Sequence, residues 1–282
     1  MMKEEKINII TEPQETDNNS LSVVEARVSK PLEYNKIYLG DSFELIERVP
    51  AKTVDLILED MPYNTTACEW DVKIDLELYW KTRLRILKPT GAIVLTASQP
   101  FTSMLVTSNV KYFRDEWIWE KDRATRHLDA NIRPLKAHEN VLVFGLQLPI
   151  YNPQKINNYK PANKQGKTLG NLPELLRGGL IPSVKYGQTD RYPRTIQKFY
   201  VPNGDERGLH PTQKPVGLFE YLIRTYTNEG DLVFDGFGGS GTTAVACHKS
   251  KRNFIVIEKE KKYFDLATRR LDNERKQLSL LY

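Results

Sequence analysis

The run Asp235-Gly-Phe-Gly-Gly-Ser-Gly241-Thr-Thr243 sets a carboxylate before a glycine-rich turn and two threonines after it. Glycine tolerates positive φ and lets a ligand approach the backbone. A helix beginning at the threonines would aim unpaired N–H groups at that ligand. Glu258 follows twenty-three positions after Asp235, at the end of the apolar run 254–257. A carboxylate there can accept both hydroxyl protons of a ribose. The set reads as a nucleoside-binding strand, turn, helix and strand, in competition with a tight turn that binds nothing. A nicotinamide-dinucleotide site is the other rival, since Gly239-Ser-Gly241-Thr-Thr-Ala244 keeps its spacing with alanine as third glycine. Asp235 argues against it, because a carboxylate before the turn repels a pyrophosphate and suits an ammonium.

Two further runs carry chemistry-bearing side chains. Asp60-Met61-Pro62-Tyr63 ends the apolar stretch 54–58 and precedes the polar Asn64-Thr-Thr; alone, it marks a strand-ending turn. His210-Pro-Thr-Gln-Lys214-Pro215 precedes the amphipathic stretch 216–226 and alone could be a helix cap. Cys68 and Cys247 are the only cysteines and have no ligand-spaced neighbours, so neither a disulfide framework nor a metal site is expected. His138 and Glu139 are not spaced as metal ligands either, and read as structural or close to a base pocket.

A sheet must hold these residues at one edge. Residues 36–39 read as a short strand ending at Gly40-Asp41, and 42–48 as a helix capped by Ser42. A strand follows at 54–58, and 76–87 has the helical spacing of Leu76, Tyr79, Trp80, Leu84 and Leu87. Pro89 and Gly91 predict a turn into strand 92–97, with further strands at 117–119 and 141–144. Periodicity fails from 151 to 208. It resumes as helix 216–226, strand 232–234, helix 242–248, strand 254–257 and helix 263–276. The alternation predicts an α/β, Rossmann-like, doubly wound and mainly parallel sheet of seven strands.

Charge sharpens the division. The chain has 41 Lys and Arg against 36 Asp and Glu, a net +5, and residues 150–208 alone hold ten basic and four acidic side chains. Tyr151, Tyr159, Tyr186, Tyr192, Phe199 and Tyr200 are interleaved there. A structureless loop of that length inside a compact domain is expected to be functional. The chain divides into a flexible or loosely docked extension (1–33), a first half of the sheet domain (34–150), an inserted lobe (151–208) and a second half (209–282). No apolar run approaches the roughly 18 residues of a membrane span, and no signal core follows the charged N-terminus, so a cytoplasmic protein is expected.

The glycine turn closely resembles the D-P-F-x-G-S-G-T cofactor motif of amino-DNA methyltransferases, and 210–215 resembles their H-P-T-x-K-P segment. Asp60-Met61-Pro62-Tyr63 is similar to their D-P-P-Y tetrad, with Met61 for the first proline; Gly236 departs from proline likewise. Gly40-Asp41 resembles an element near the cofactor adenine. The order of tetrad, basic segment and cofactor turn matches the circularly permuted β group, and strand 36–39 can then pair beside 254–257. The resemblance covers roughly residues 36–271.

It implies S-adenosylmethionine as cofactor and duplex DNA as partner, with 151–208 as the target-recognition region. Asp60 and the Met61 carbonyl would accept the two N–H bonds of an exocyclic amine, aiming its lone pair at the methyl group. Pro62 completes the tetrad, and Tyr63 would stack on the extruded base. Asp235, suited to the methionine ammonium, would hold the cofactor with Phe237, Gly239, Gly241, Thr242 and Glu258. Asp41, His210, Lys214 and Pro215 would support them. Aspartate at the head of the tetrad implies adenine N6 rather than cytosine N4. An inactive DNA-binding relic and an RNA substrate are the remaining alternatives. Neither a homodimer nor a cognate restriction nuclease is specified by these residues.

Overall fold

The computed structural model describes residues 30–62, 74–157, 189–201 and 213–279. The chain divides into two compact units, Met1–Pro31 and Leu32–Tyr282, and the second carries everything below.

Near-continuous apolar runs make strands buried on both faces. In chain order these are β1 (Lys36–Leu39), β2 (Val54–Glu59), β3 (Leu87–Ala97), β4 (Phe113–Thr125), β5 (Lys136–Phe144), β6 (Ile196–Phe199), β7 (Leu232–Asp235) and β8 (Asn253–Glu258). They form one sheet in the order β1-β8-β7-β2-β3-β5-β4-β6. Pairing is parallel from β1 to β3 and between β4 and β6, while β5 runs antiparallel to both its neighbours. The predicted closure of the permuted order is present, with Lys36 opposite Ile255 and Leu39 opposite Glu258.

The helices are α1 (Ser42–Leu45), α2 (Leu76–Ile86), α3 (Phe101–Ser108), α4 (Val216–Tyr226), α5 (Thr242–Lys249) and α6 (Lys261–Ser279). They cover both faces, as a doubly wound sheet requires. Ile57, Ile93 and Leu95 pack with α2 and α3 through Tyr79, Trp80, Phe101 and Leu105. Leu56, Leu58 and Val94 pack on the other face with α4 and α5 through Leu218, Phe219, Leu222, Ala244 and Cys247. This is the period of two expected of a strand sandwiched between helices. No helix among the described residues is long and apolar enough to cross a membrane.

Three sequence expectations need correction. The described residues contain eight strands, not seven. The extra strand, β6, comes from the segment read as an irregular insertion and closes the outer edge of β4. Its alternation is only four residues long, but Trp119 Nε1 donates to Phe199 O at 2.9 Å and Phe199 packs edge-on to Tyr221. Asp41, not Ser42, caps the helix after β1, its Oδ1 accepting from Phe43 N at 2.8 Å, and that helix tightens to a 3-10 turn at Ile46–Arg48. Pro89 and Gly91 lie within β3, where the register slips between Val54–Leu87 and Leu56–Ala92. They make an irregularity inside a strand, one of the places a sheet tolerates proline.

Candidate active site

Adjacent parallel strands β8, β7 and β2 end in Glu258, Asp235 and Glu59-Asp60, so the carboxylates gather at one edge, where open α/β sheets bind ligands. A cleft of about 1170 Å³, its open mouth included, is lined by Asp60, Pro62, Asp235, Phe237, Gly239, Thr242 and Glu258. Asp41 and Lys214 also line it. Tyr63 and His210 lie outside the described residues.

The glycine turn is held from below. Gly239 and Gly241 adopt positive φ (49° and 78°), and Gly241 stands at the N-cap of α5. A Cβ at Gly241 would meet Ala267 Cβ at 2.8 Å, so this glycine supports the turn by letting α6 approach. Glu258 Oε2 accepts from Gly239 N at 2.6 Å and Oε1 from Glu260 N at 2.7 Å. A carboxylate has about four lone-pair sites and the backbone N–H groups of Gly239, Glu260 and Lys259 draw on them, so capacity for a hydroxyl donor remains. That acceptor fits a ribose hydroxyl. Asp41 Oδ2 receives Lys259 Nζ at 3.1 Å beside the same cleft.

Asp60 is engaged on both oxygens. Lys214 Nζ lies 2.6 Å from Oδ2, and the Thr96 hydroxyl donates to Oδ1. Lys214 is 6% exposed and also sits 3.5 Å from Glu139 Oε2, whose other oxygen receives Lys121 Nζ at 2.5 Å. The chain Asp60–Lys214–Glu139–Lys121 alternates in charge, as buried ions must to stay charged. Burial lowers the Lys214 pKa, but the two carboxylates outweigh it and hold the ammonium above its usual range. Burial likewise raises Glu139, and Lys214 and Lys121 reverse that, keeping it ionised. Met61 is 1% exposed and packs into the core beneath the tetrad, where its side chain anchors the strand end. Pro215 precedes α4 in extended conformation and turns Lys214 inward.

Asp235 differs from the other carboxylates. It is 2% exposed, and burial pushes its pKa to about 8, against donation from the Thr243 hydroxyl and Phe237 N, with Glu59 and Asp60 adding to the rise. A buried acid with that affinity for a proton favours a cationic partner. Glu258 is also raised by burial. Asp41 is raised by burial but lowered on balance by Phe43 N and Lys259.

Sequence reasoning missed a buried cluster behind the cleft. Glu59 and Arg83 are both fully buried, with Arg83 Nη2 3.1 Å from Glu59 Oε1. Tyr79 OH donates to Glu59 Oε2 at 2.6 Å and Arg83 Nη2 to Ser42 Oγ at 2.5 Å. The guanidinium carbon lies 4.8 Å from the ring centres of both Phe43 and Tyr79 and 5.4 Å from Phe237. Gly236 N donates to Glu59 Oε1 at 2.9 Å. The departure from proline at Gly236 follows from this: a Cβ there would lie 2.2 Å from Ser42 Oγ and 2.5 Å from Arg83 Nη2. Proline would also delete the N–H that Glu59 uses. The available signal was Arg83 on the apolar stripe of α2, four residues after Tyr79 and three after Trp80.

Comparison with known proteins assigns the chain to a family. A family model for DNA methylases matches residues 54–269, from β2 into α6. The chain is 28% identical over 267 residues to the type II methyltransferase M.BglII of Bacillus subtilis, covering 85% of this chain and 69% of that protein. It is 29% identical over 272 residues to the DNA adenine methyltransferase YhdJ of Escherichia coli, covering 85% and 83%. Among solved structures, the M1.HpyAVI-SAM complex matches with a TM-score of 0.58 at 28% identity over 84% of this chain and 98% of that one. The cytosine-N4-specific PvuII DNA methyltransferase matches with a TM-score of 0.59 at 18% identity, over 85% and 86%, which is a likeness of fold alone. With well over half of its length matched by the family model, the chain belongs to the DNA methylase family.

Proposed function

We propose that this DNA methylase transfers the methyl group of S-adenosylmethionine to the exocyclic N6 amine of an adenine turned out of duplex DNA. The observation that carries the reading is the shared cleft, lined by Asp60 together with Gly239, Glu258 and Asp235. The residues fit the cofactor chemically. Glu258 has acceptor capacity for a ribose hydroxyl, and Asp235 is a buried carboxylate suited to an ammonium. When bound, the cofactor supplies an electrophilic methyl on a sulfonium.

The chain's own residues then orient the nucleophile. An adenine amine is a poor nucleophile because its lone pair is delocalised into the ring. Asp60 accepts one N–H on a lone pair not used by Thr96 or Lys214, and the Met61 carbonyl accepts the other. This aims the nitrogen lone pair across the cleft and stabilises positive charge as the N–C bond forms. Asp60 need not be a strong base: as the N–C bond would form and the methyl's bond to the sulfonium sulfur would break, with the neutral thioether as leaving group, the nitrogen becomes acidic and its proton would pass to solvent. Lys214 holds Asp60 in place, and Glu139 offsets the charge of Lys214.

Residues 151–208 serve target recognition. Support comes from their basic surplus and from Arg194 and Lys198, carried beside or on β6, which is docked on β4. The test is to methylate a plasmid, digest it to nucleosides for mass analysis, and sequence it with modification detection. Methyladenine at one recurring sequence is expected. Methylcytosine would assign the cytosine amine instead, and cofactor binding with no methyl incorporated would sink the enzymatic reading.

A further inference from the structure

The hairpin joining β4 and β5 extends beyond the catalytic edge and ends in two large apolar side chains held in water. Leu128 is 100% exposed and Ile132 85%. β5 is antiparallel to both β3 and β4, so β4 runs with β3 and β2, and the hairpin tip points the same way as the strand ends at Asp60 and Asp235. Val141 is paired with Thr96, whose hydroxyl reaches Asp60. Lys136, at the start of β5, is five residues nearer the tip, roughly 17 Å at the usual strand rise.

The tip holds its own shape. Arg126 takes the left-handed conformation at φ 70°, and a 3-10 turn follows at His127–Asp129. Asp129 O accepts from Ile132 N at 2.8 Å and from Arg133 N at 3.0 Å, and its carboxylate is gripped by the Arg133 guanidinium. A loop ordered by its own polar groups, yet presenting leucine and isoleucine outward, points to an interaction site. Its charge indicates what it meets. With Lys121 paired to Glu139, residues 122–138 hold four Lys and Arg against two Asp, and Arg123 and Arg126 are exposed.

We infer that the tip at 126–135 is a DNA wedge: Leu128 and Ile132 enter the base stack beside the extruded base, and Arg123 and Arg126 seat on flanking phosphates. The inference rests on the proposed transfer to duplex DNA and adds the element that holds the duplex open. Extruding a base costs stacking energy, and an apolar side chain inserted between base steps replaces part of it. β6 broadens the same surface, pairing Ile118 to Lys121 with Ile196 to Phe199 and leaving Tyr200 71% exposed beside it.

Two variants of the full chain test this, L128S/I132S and R123A/R126A. All four side chains are exposed, so melting temperature and cofactor affinity are expected to stay at wild-type values. L128S/I132S is expected to lose about tenfold or more in methylation of paired duplex and to recover when the target base, located by the plasmid experiment, is mismatched, because a mismatched base is easier to extrude. R123A/R126A is expected to flatten the slope of log binding constant against log salt by about 2, read by fluorescence anisotropy on duplex DNA. Wild-type methylation by L128S/I132S overturns the wedge, and an unchanged salt slope overturns the phosphate contacts. A wild-type dimer that L128S/I132S dissociates, with DNA binding intact, would give the tip to a second copy and also overturn it. A wild-type chain that binds duplex without methylating it would sink the transfer reading alone, and the salt slope would still decide the tip.

Discussion

Lys214 Nζ lies 2.6 Å from Asp60 Oδ2 although 154 positions separate the two residues in sequence. The tetrad and the segment before α4 thus meet in one buried ion pair, and Glu139 joins it from β5. Breaking a buried pair from one side leaves an uncompensated charge, at a cost of about 3–5 kcal/mol. K214M is therefore expected to lose about that much stability in denaturant unfolding, while K214M/E139Q loses less than the two single changes added together. Additive losses would show that Glu139 and Lys214 do not act as one unit.

Asp60 carries the transfer in the proposed mechanism, and the test is a split between turnover and cofactor binding. Asn keeps the shape of Asp60 but cannot offer two anionic acceptors. D60N is expected to lower kcat by about 10²–10³-fold, the range for removing one preorganised electrostatic group. Cofactor affinity, measured by calorimetry, is expected to change little, since the proposal gives the cofactor to Glu258 and Asp235, which line the same cleft. Equal losses in both would move Asp60 from the reacting amine to the cofactor.

Gly236 stands where the motif that the turn resembles has a proline, and it packs against a buried polar cluster. Restoring proline would put an atom 2.2 Å from Ser42 Oγ and remove the N–H held by Glu59. G236P is expected to cost about 3 kcal/mol or more in unfolding free energy, the scale of proline replacing a bonded N–H in a filled space. A G236P chain that melts with the wild type would show that the cluster yields easily.

The legible and illegible parts of this protein divide by sequence distance. The glycine turn, Asp60, Lys214 and Glu258 were readable because each sits in a local run whose residue types its chemistry demands. Strand β8 beside β1 was readable from motif order. Arg83 and Glu59 were not, because they are common residue types 24 positions apart whose pairing exists only after α2 packs on the sheet. Strand β6 was hidden for a similar reason: Ile196 to Phe199 is too short a run to show a strand's period and becomes one by pairing with β4. Asp41 and Ser42 are adjacent cap candidates, and their contacts decide between them: Asp41 Oδ1 accepts from Phe43 N while Ser42 Oγ accepts from Arg83.

Asp235 gives the site a pH dependence of unusual sign. Its folded pKa of about 8 lies above the ordinary aspartate value of 3.8, so the folded chain holds a proton that the unfolded chain has lost across that window. Linkage then makes this group's contribution to stability full below pH 3.8 and lost as the pH rises toward 8. D235N, which needs no proton, is expected to stabilise the cofactor-free chain more at pH 8 than at pH 5, read as the difference in denaturant midpoints. Cofactor binding runs the other way. An ammonium needs the ionised carboxylate, so affinity is expected to rise with pH up to about 8, with a proton released on binding below that. Calorimetry in two buffers of different ionisation enthalpy would show that release, and D235N should abolish it together with much of the affinity. Release that persists in D235N would place the titrating group elsewhere.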